Sequence, residues 1–164
     1  MSIEVSPPGT RGFQPPRVPG PLMSAMIGIS LFVYRLLGDR MRVMGRPLLR
    51  LETVGAKSGR RRIAILGWFP DAAEASWLVV ASYAGSARHP AWFLNLAKHP
   101  DRVWVEIGKQ RFRVRPESLK GTDRTQAWER IVSLSPGYGN YQTKTDREIP
   151  IVRLQRIENS GAEA

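Results

Sequence analysis

With 164 residues, 42% of them hydrophobic and 24% charged, the chain has the size of one globular domain with a modest core and does not suit two. Twenty-five Lys and Arg against 14 Asp and Glu give a formal net charge of +11, which favours an anionic partner: nucleic acid, acidic lipid or a polyanionic small molecule. The chain has no Cys and only two His. Disulfides, thiolate zinc sites and cysteine nucleophiles are thereby excluded, and His89 and His99 cannot build a metal cage by themselves. Any chemistry here relies on an organic cofactor.

The first 21 residues hold six prolines and three glycines, too many for a regular helix or a central strand, and predict an extended or mobile arm outside the fold. Residues 22–34, LMSAMIGISLFVY, are nearly all apolar. The prolines before them leave room for a helix of only about 20 Å, short of the roughly 30 Å of a bilayer core. No small-x-small cleavage site follows, which argues against a signal peptide. Arg35, Arg40, Arg42, Arg46 and Arg50 come next with Asp39 the one acid among them. An apolar helix followed by a basic connector to residue 47 suits either an anionic membrane surface or packing against the domain or a second subunit.

From residue 48 the pattern is α+β. Strands are expected at 48–54, 60–69 and 76–82, then a short helix over 89–100 opened by Pro90 and ended by Pro100. Alternation of Val103, Val105 and Ile107, then of Phe112 and Val114, predicts a hairpin turning at Gly108-Lys109. Asp123 and Gln126 mark the start of a second helix, with Ala127, Trp128, Ile131 and Leu134 on its apolar face. A polar loop with tyrosines is expected after Ser135, and a last strand at 149–157 that Pro150 places at an edge or bulge. Residues 159–164 read as a disordered tail.

Three segments carry possible chemistry. Thr53 to Arg62, TVGAKSGRRR, sets small residues beside Lys57, Arg60, Arg61 and Arg62, a setting for phosphate or carboxylates. It is not a P-loop, because Ala56 stands where Gly must precede the Lys. The plain alternative is a solvated basic turn. Ala81 to Arg88 is a strand-to-helix turn whose free N–H groups favour an anion. Pro136 to Tyr141 presents two tyrosines three residues apart, suited either to walling a planar ligand or to packing.

Taken together, TVGAKSGRRR, ASYAGSARHPAWFLNL and SPGYGNYQTKTDREIPIV resemble, in order and spacing, the deazaflavin-dependent nitroreductase family of actinobacteria, over about residues 48–155. The resemblance implies a split β-barrel of the FMN-binding kind, preceded by an N-terminal helix, that binds coenzyme F-420, an 8-hydroxy-5-deazaflavin whose tail carries a phosphodiester and several glutamates. By motif position Lys57, Ser58, Gly59 and Arg62 would hold the phosphate and tail, Ser82, Tyr83 and Gly85 would line the phosphate or ring edge, and Ala91 and Trp92 would lie beside the deazaflavin. Tyr138 and Tyr141 would close the substrate side. Tyr83 and Ala84 stand where the best-known nitroreductase member has Lys and Gly, which removes one cation.

The resemblance implies an oxidoreductase passing hydride to a quinone-like, nitroaromatic or other conjugated acceptor, as a monomer or homodimer in the cytoplasm or on the inner face of the cell membrane. Two other readings are a flavin- or lipophile-binding relative on the same barrel and a basic nucleic-acid-binding domain. Against the latter, the cations are spread over several loops and strands and no nucleic-acid motif is present.

Overall fold

The computed structural model of the chain describes residues 2–43 and 45–157; the expected tail at 159–164 lies outside them. Strands β1 (Arg42–Val43), β2 (Arg46–Val54), β3 (Arg61–Gly67), β4 (Phe69–Pro70), β5 (Ser76–Val80), β6 (Trp104–Ile107), β7 (Gln110–Ser118) and β8 (Ile151–Arg156) form one antiparallel sheet. Its order is β1-β2-β6-β7-β8-β5-β4, with β3 also on β2. The sheet curls into a half-barrel whose two halves share β7. The first part of β7 pairs with β6 and its second part, from Val114, with β8, which is the split of the barrel. Helices α1 (Gly20–Leu37), α2 (Ala91–Lys98), α3 (Gly121–Leu134) and α4 (Gly137–Lys144) surround it.

Alternation sorts the core into two halves. Val79 of β5 and Val152 and Leu154 of β8 point into the barrel with Leu49, Leu51, Val105 and, from α2, Phe93 and Leu96. Leu78 and Val80 of β5 and Ile151 of β8 point the other way, onto Phe69 and onto Ala127 and Ile131 of α3. On β2, Arg50 and Glu52 are buried too, and they are stabilised as a network with Glu106, Arg61 and Arg111.

Four expectations need correction. Strand β8 is central, between β7 and β5; Pro150 precedes it, so no ladder N–H is lost, and its carbonyl accepts the Ala81 N–H at 2.9 Å. The segment expected as a tyrosine-bearing loop is helix α4. Two glycines oppose a helix there, but packing of Tyr138 and Tyr141 on the second core half overrides propensity.

The arm is part of the fold. Ser2, Gly9 and Phe13 make backbone hydrogen bonds to Ser118, Ala87 and Gly85, and Thr10 and Arg11 bind Asp146. Helix α1, finally, is 18 residues long rather than 13, because Pro21 sits in its first turn, where no intrahelical N–H is required. By length and composition it could cross a membrane. Its far end is anchored by buried Tyr34, whose hydroxyl donates to the Glu106 carbonyl at 3.2 Å.

Candidate active site

The loop joining β2 to β3 is closed by two backbone bonds, Gly59 N–H to the Gly55 carbonyl and Gly55 N–H to the Arg60 carbonyl, both 2.8 Å. Gly59 has φ of 64°, the left-handed conformation this tight turn needs. The closure pushes Lys57, Ser58, Arg60 and Arg62 to the surface. Arg62 Nη2 donates to Ser58 Oγ at 3.3 Å. Arg61 is diverted: it lies 2.7 Å from one Glu52 oxygen, while Arg111 takes the other at 3.0 Å. Three cations of the four therefore face outward, and among the described residues none of the three has a carboxylate within ion-pair distance.

Asn95 of α2 ties this loop to the rest of the site. It is 7% exposed; its Oδ1 accepts the Ala56 N–H at 2.8 Å and its Nδ2 donates to Thr53 Oγ1 at 3.2 Å. That fixes the first turn of α2, with exposed Ala91 and half-buried Trp92, relative to the basic loop.

The turn entering α2 is strained. Tyr83, Ala84 and Gly85 have φ of 45°, 54° and 79°, and the first two pay about 1–2 kcal/mol each for the left-handed region. What holds them is Arg147, 3% exposed. Its Nη2 donates to the Ala81 carbonyl at 3.0 Å and the Ser82 carbonyl at 2.9 Å, and its Nε to the Ser86 carbonyl at 2.7 Å. Burial lowers its pKa from the usual value. Gly85 also packs on α4, where a Cβ would come 2.6 Å from the Tyr141 carbonyl oxygen.

Beneath the turn lies His89. Burial lowers its pKa, the adjacent Arg147 adds to the effect, and its bond with the Ser6 carbonyl opposes it. The neutral imidazole donates from Nε2 to that carbonyl at 2.8 Å, and its Nδ1 lies 3.5 Å from Arg147 Nη1. Asp146, which precedes Arg147, binds the Thr10 hydroxyl and the backbone N–H groups of Thr10 and Arg11, which holds its carboxyl pKa at about 2.

Tyr138 and Tyr141 of α4 meet edge to face, centroids 5.7 Å apart, and Tyr138 is edge-on to Phe69 at 5.4 Å. Burial raises the Tyr138 pKa, Tyr141 adds to the rise and Arg46 opposes it. The structure thus gathers Ser82, Tyr83, Gly85 and Tyr141 into one cluster with Tyr138 at its margin. Lys57, Ser58, Gly59 and Arg62 join it through Asn95 and the start of α2. The sequence reading assigned no role to Asn95, Arg147, Phe69 or Arg46, although Asn95 and Arg147 stand inside two of its motifs.

The donor set fits a polyanionic cofactor: three unneutralised cations on a closed loop, and a strained backbone turn backed by a buried guanidinium that has no acid partner among the described residues. A split barrel with such loops at one junction defines a class of cofactor-binding oxidoreductase barrels. The family model for F420H(2)-dependent quinone reductases matches residues 33–156, and the chain belongs to that family. An F420H(2)-dependent quinone reductase of Mycobacterium tuberculosis is 35% identical over 141 residues, 79% of this chain and 93% of the relative. A solved F420-H2 dependent reductase is 34% identical with a TM-score of 0.59, over 67% of this chain and 95% of its own. A second solved chain, described as a domain-swapped dimer, is 30% identical with a TM-score of 0.60, over 83% and 100%. The protein is an oxidoreductase on the split barrel, and its cofactor is coenzyme F-420.

Proposed function

We propose that the chain delivers hydride from reduced coenzyme F-420 to a quinone-like conjugated acceptor. The observation that carries this reading is the junction of basic loop, strained turn and tyrosine helix, tied together by Asn95 and Arg147. In it Lys57, Ser58, Gly59 and Arg62 hold the phosphodiester and glutamate tail, Ser82, Tyr83 and Gly85 line the phosphate or ring edge, and Ala91 and Trp92 lie beside the deazaflavin. Tyr138 and Tyr141 close the acceptor side. The bound cofactor supplies obligate hydride chemistry. The side chains bind the tail, orient the acceptor, exclude water and donate to the oxygen that gains charge, while solvent completes protonation. No side-chain nucleophile is needed, in keeping with a chain that has no Cys.

Helix α1 bears on where the acceptor comes from. Leu22, Met26, Ile29, Phe32 and Leu36 are 50–68% exposed, an apolar surface with Arg35, Arg40 and Arg42 at its far end. This supports attachment to an anionic membrane, the phase in which a lipophilic quinone dissolves. A second copy covering α1 is the competing arrangement, favoured by the similar chain described as a domain-swapped dimer.

Quenching of tryptophan fluorescence by coenzyme F-420 and by flavin mononucleotide, followed by quinone reduction with the reduced deazaflavin, tests the reading. Preferential deazaflavin binding with turnover is expected. Equal or tighter binding of flavin mononucleotide overturns it and favours a flavin-using relative.

A further inference from the structure

Arg46 opens β2, two residues beyond the Leu48–Gly67 pair of the β2–β3 ladder, so that continuing this register sets it opposite Phe69. Its guanidinium carbon lies 5.2 Å from the Phe69 ring centroid, and the same ring packs edge-on against Tyr138. Between them stands Gly67, which has no side chain. The point its Cβ would occupy is 3.4 Å from Arg46 Cβ and 4.0 Å from the Tyr138 hydroxyl. The stem of Arg46 and the phenol of Tyr138 thus border one unfilled position at the margin of the cluster. Arg46 Nε is shielded from water and has no hydrogen-bond partner, and among the described residues Arg46 forms no ion pair. Buried donors without an acceptor are rare enough to require an explanation. The stem of Arg46 shares this position with the Tyr138 hydroxyl, its guanidinium lies over the ring on which Tyr138 packs, and it carries an unspent donor with no anionic oxygen to take it.

We propose that Arg46 is the second donor, beside the Tyr138 hydroxyl, to the acceptor oxygen that becomes negative on reduction. This rests on the acceptor lying against Tyr138, as in the function proposed above. Addition of hydride, two electrons with one proton, converts the quinone to a hydroquinone monoanion; the second proton comes from water, and the reduced deazaflavin that gave the hydride is left oxidised with release of its own proton. Arg46 stabilises the anion between those steps, where a preorganised charge in a dry site counts most. The residue also explains the field at Tyr138, since Arg46 opposes the rise that burial causes there.

Two variants test the proposal. Arg46→Met keeps the aliphatic stem on Phe69 and removes the charge; Arg46→Lys keeps a charge without the fork. Arg46→Met is expected to bind coenzyme F-420 as the parent does, to melt at the same temperature, and to lose quinone turnover by roughly tenfold or more, with Arg46→Lys intermediate. In the cofactor-free protein, ultraviolet titration of the phenols, with Tyr138→Phe to assign the signal, is expected to show Tyr138 ionising at higher pH in Arg46→Met. If Arg46→Met does not fold, the neutral Arg46→Gln carries both measurements. Parental turnover in the variants, or an unmoved Tyr138 titration, overturns the role of Arg46 while leaving the quinone reading intact. A parent protein that binds the deazaflavin but reduces no quinone overturns the acceptor reading and this proposal with it.

Discussion

Arg147 Nε donates to the Ser86 carbonyl at 2.7 Å across 61 residues of sequence, so one guanidinium joins the segment after α4 to the turn that enters α2. A lysine keeps the charge but cannot reach three carbonyls in different directions. Arg147→Lys is therefore expected to weaken deazaflavin binding about tenfold, with faster amide exchange confined to residues 82–86. A melting temperature that falls while affinity is kept would reduce Arg147 to a packing residue.

The basic loop divides its cations by partner. Lys57→Ala and Arg62→Ala should each weaken cofactor binding by about 1–3 kcal/mol, the scale of charge-assisted hydrogen bonds, and high salt should narrow the loss. Arg61→Ala is the control, because Arg61 is committed to Glu52. Fluorescence titration at two ionic strengths distinguishes them; an equal loss at Arg61 would place the tail elsewhere on the loop.

Asp71 gives the fold an acid-sensitive tie. Burial alone would raise its pKa, but bonds from Arg153 and Ser76 outweigh burial and hold the carboxyl below its usual range. The carboxyl is 1% exposed, and Arg153 Nη2 reaches its second oxygen at 3.2 Å. A depressed folded-state pKa means stability present above the unfolded value of about 3.9 and lost as pH falls through the folded value. Asp71→Asn should cost about 1.5–3 kcal/mol at neutral pH. In denaturant melts, its gap from the parent should close below about pH 4; a gap constant through acid would assign the effect to packing.

The exposed face of α1 calls for an experiment that spares the arm, since Gly9 and Phe13 are bonded to the turn that enters α2. Replacing Met26, Ile29 and Phe32 together by Asn should release the protein from anionic vesicles in sedimentation without lowering its melting temperature, because none of the three is buried. Loss of a dimer in place of loss of vesicle binding would assign the face to a second copy.

The β6–β7 hairpin was legible because Val103, Val105 and Ile107, then Phe112 and Val114, alternate on either side of the Gly108 turn. Helix α4 was not. Gly137 and Gly139 disfavour helix locally, and what stabilises it, Tyr138 on Phe69, joins residues 69 apart in sequence. The same limit hid Arg46, which reads as one more arginine of a basic connector until the β2–β3 register sets it opposite Phe69. Arg61 shows the converse: charge alone grouped it with the anion-facing cations, and only the ladder reveals Glu52 beside it.

Tyr138 is the residue on which catalysis and structure are most easily confused. Its ring packs on Phe69 and Tyr141, so removing the whole side chain would injure the core and blur any kinetic effect. Tyr138→Phe leaves that packing in place and removes only the hydroxyl, whose pKa burial raises and which therefore stays protonated as a donor at neutral pH. Both roles proposed for it, stacking the acceptor and donating to the oxygen that gains charge, come after cofactor binding. Cofactor affinity should be unchanged, and quinone turnover should fall by roughly tenfold or more, equivalent to about 1.4 kcal/mol of transition-state stabilisation. Steady-state reduction measured alongside thermal melting separates this from a structural role, in which stability drops and turnover per folded molecule is kept. Wild-type turnover in Tyr138→Phe would remove the hydroxyl from the mechanism and shift the donor role to Tyr141 or to Arg46 alone.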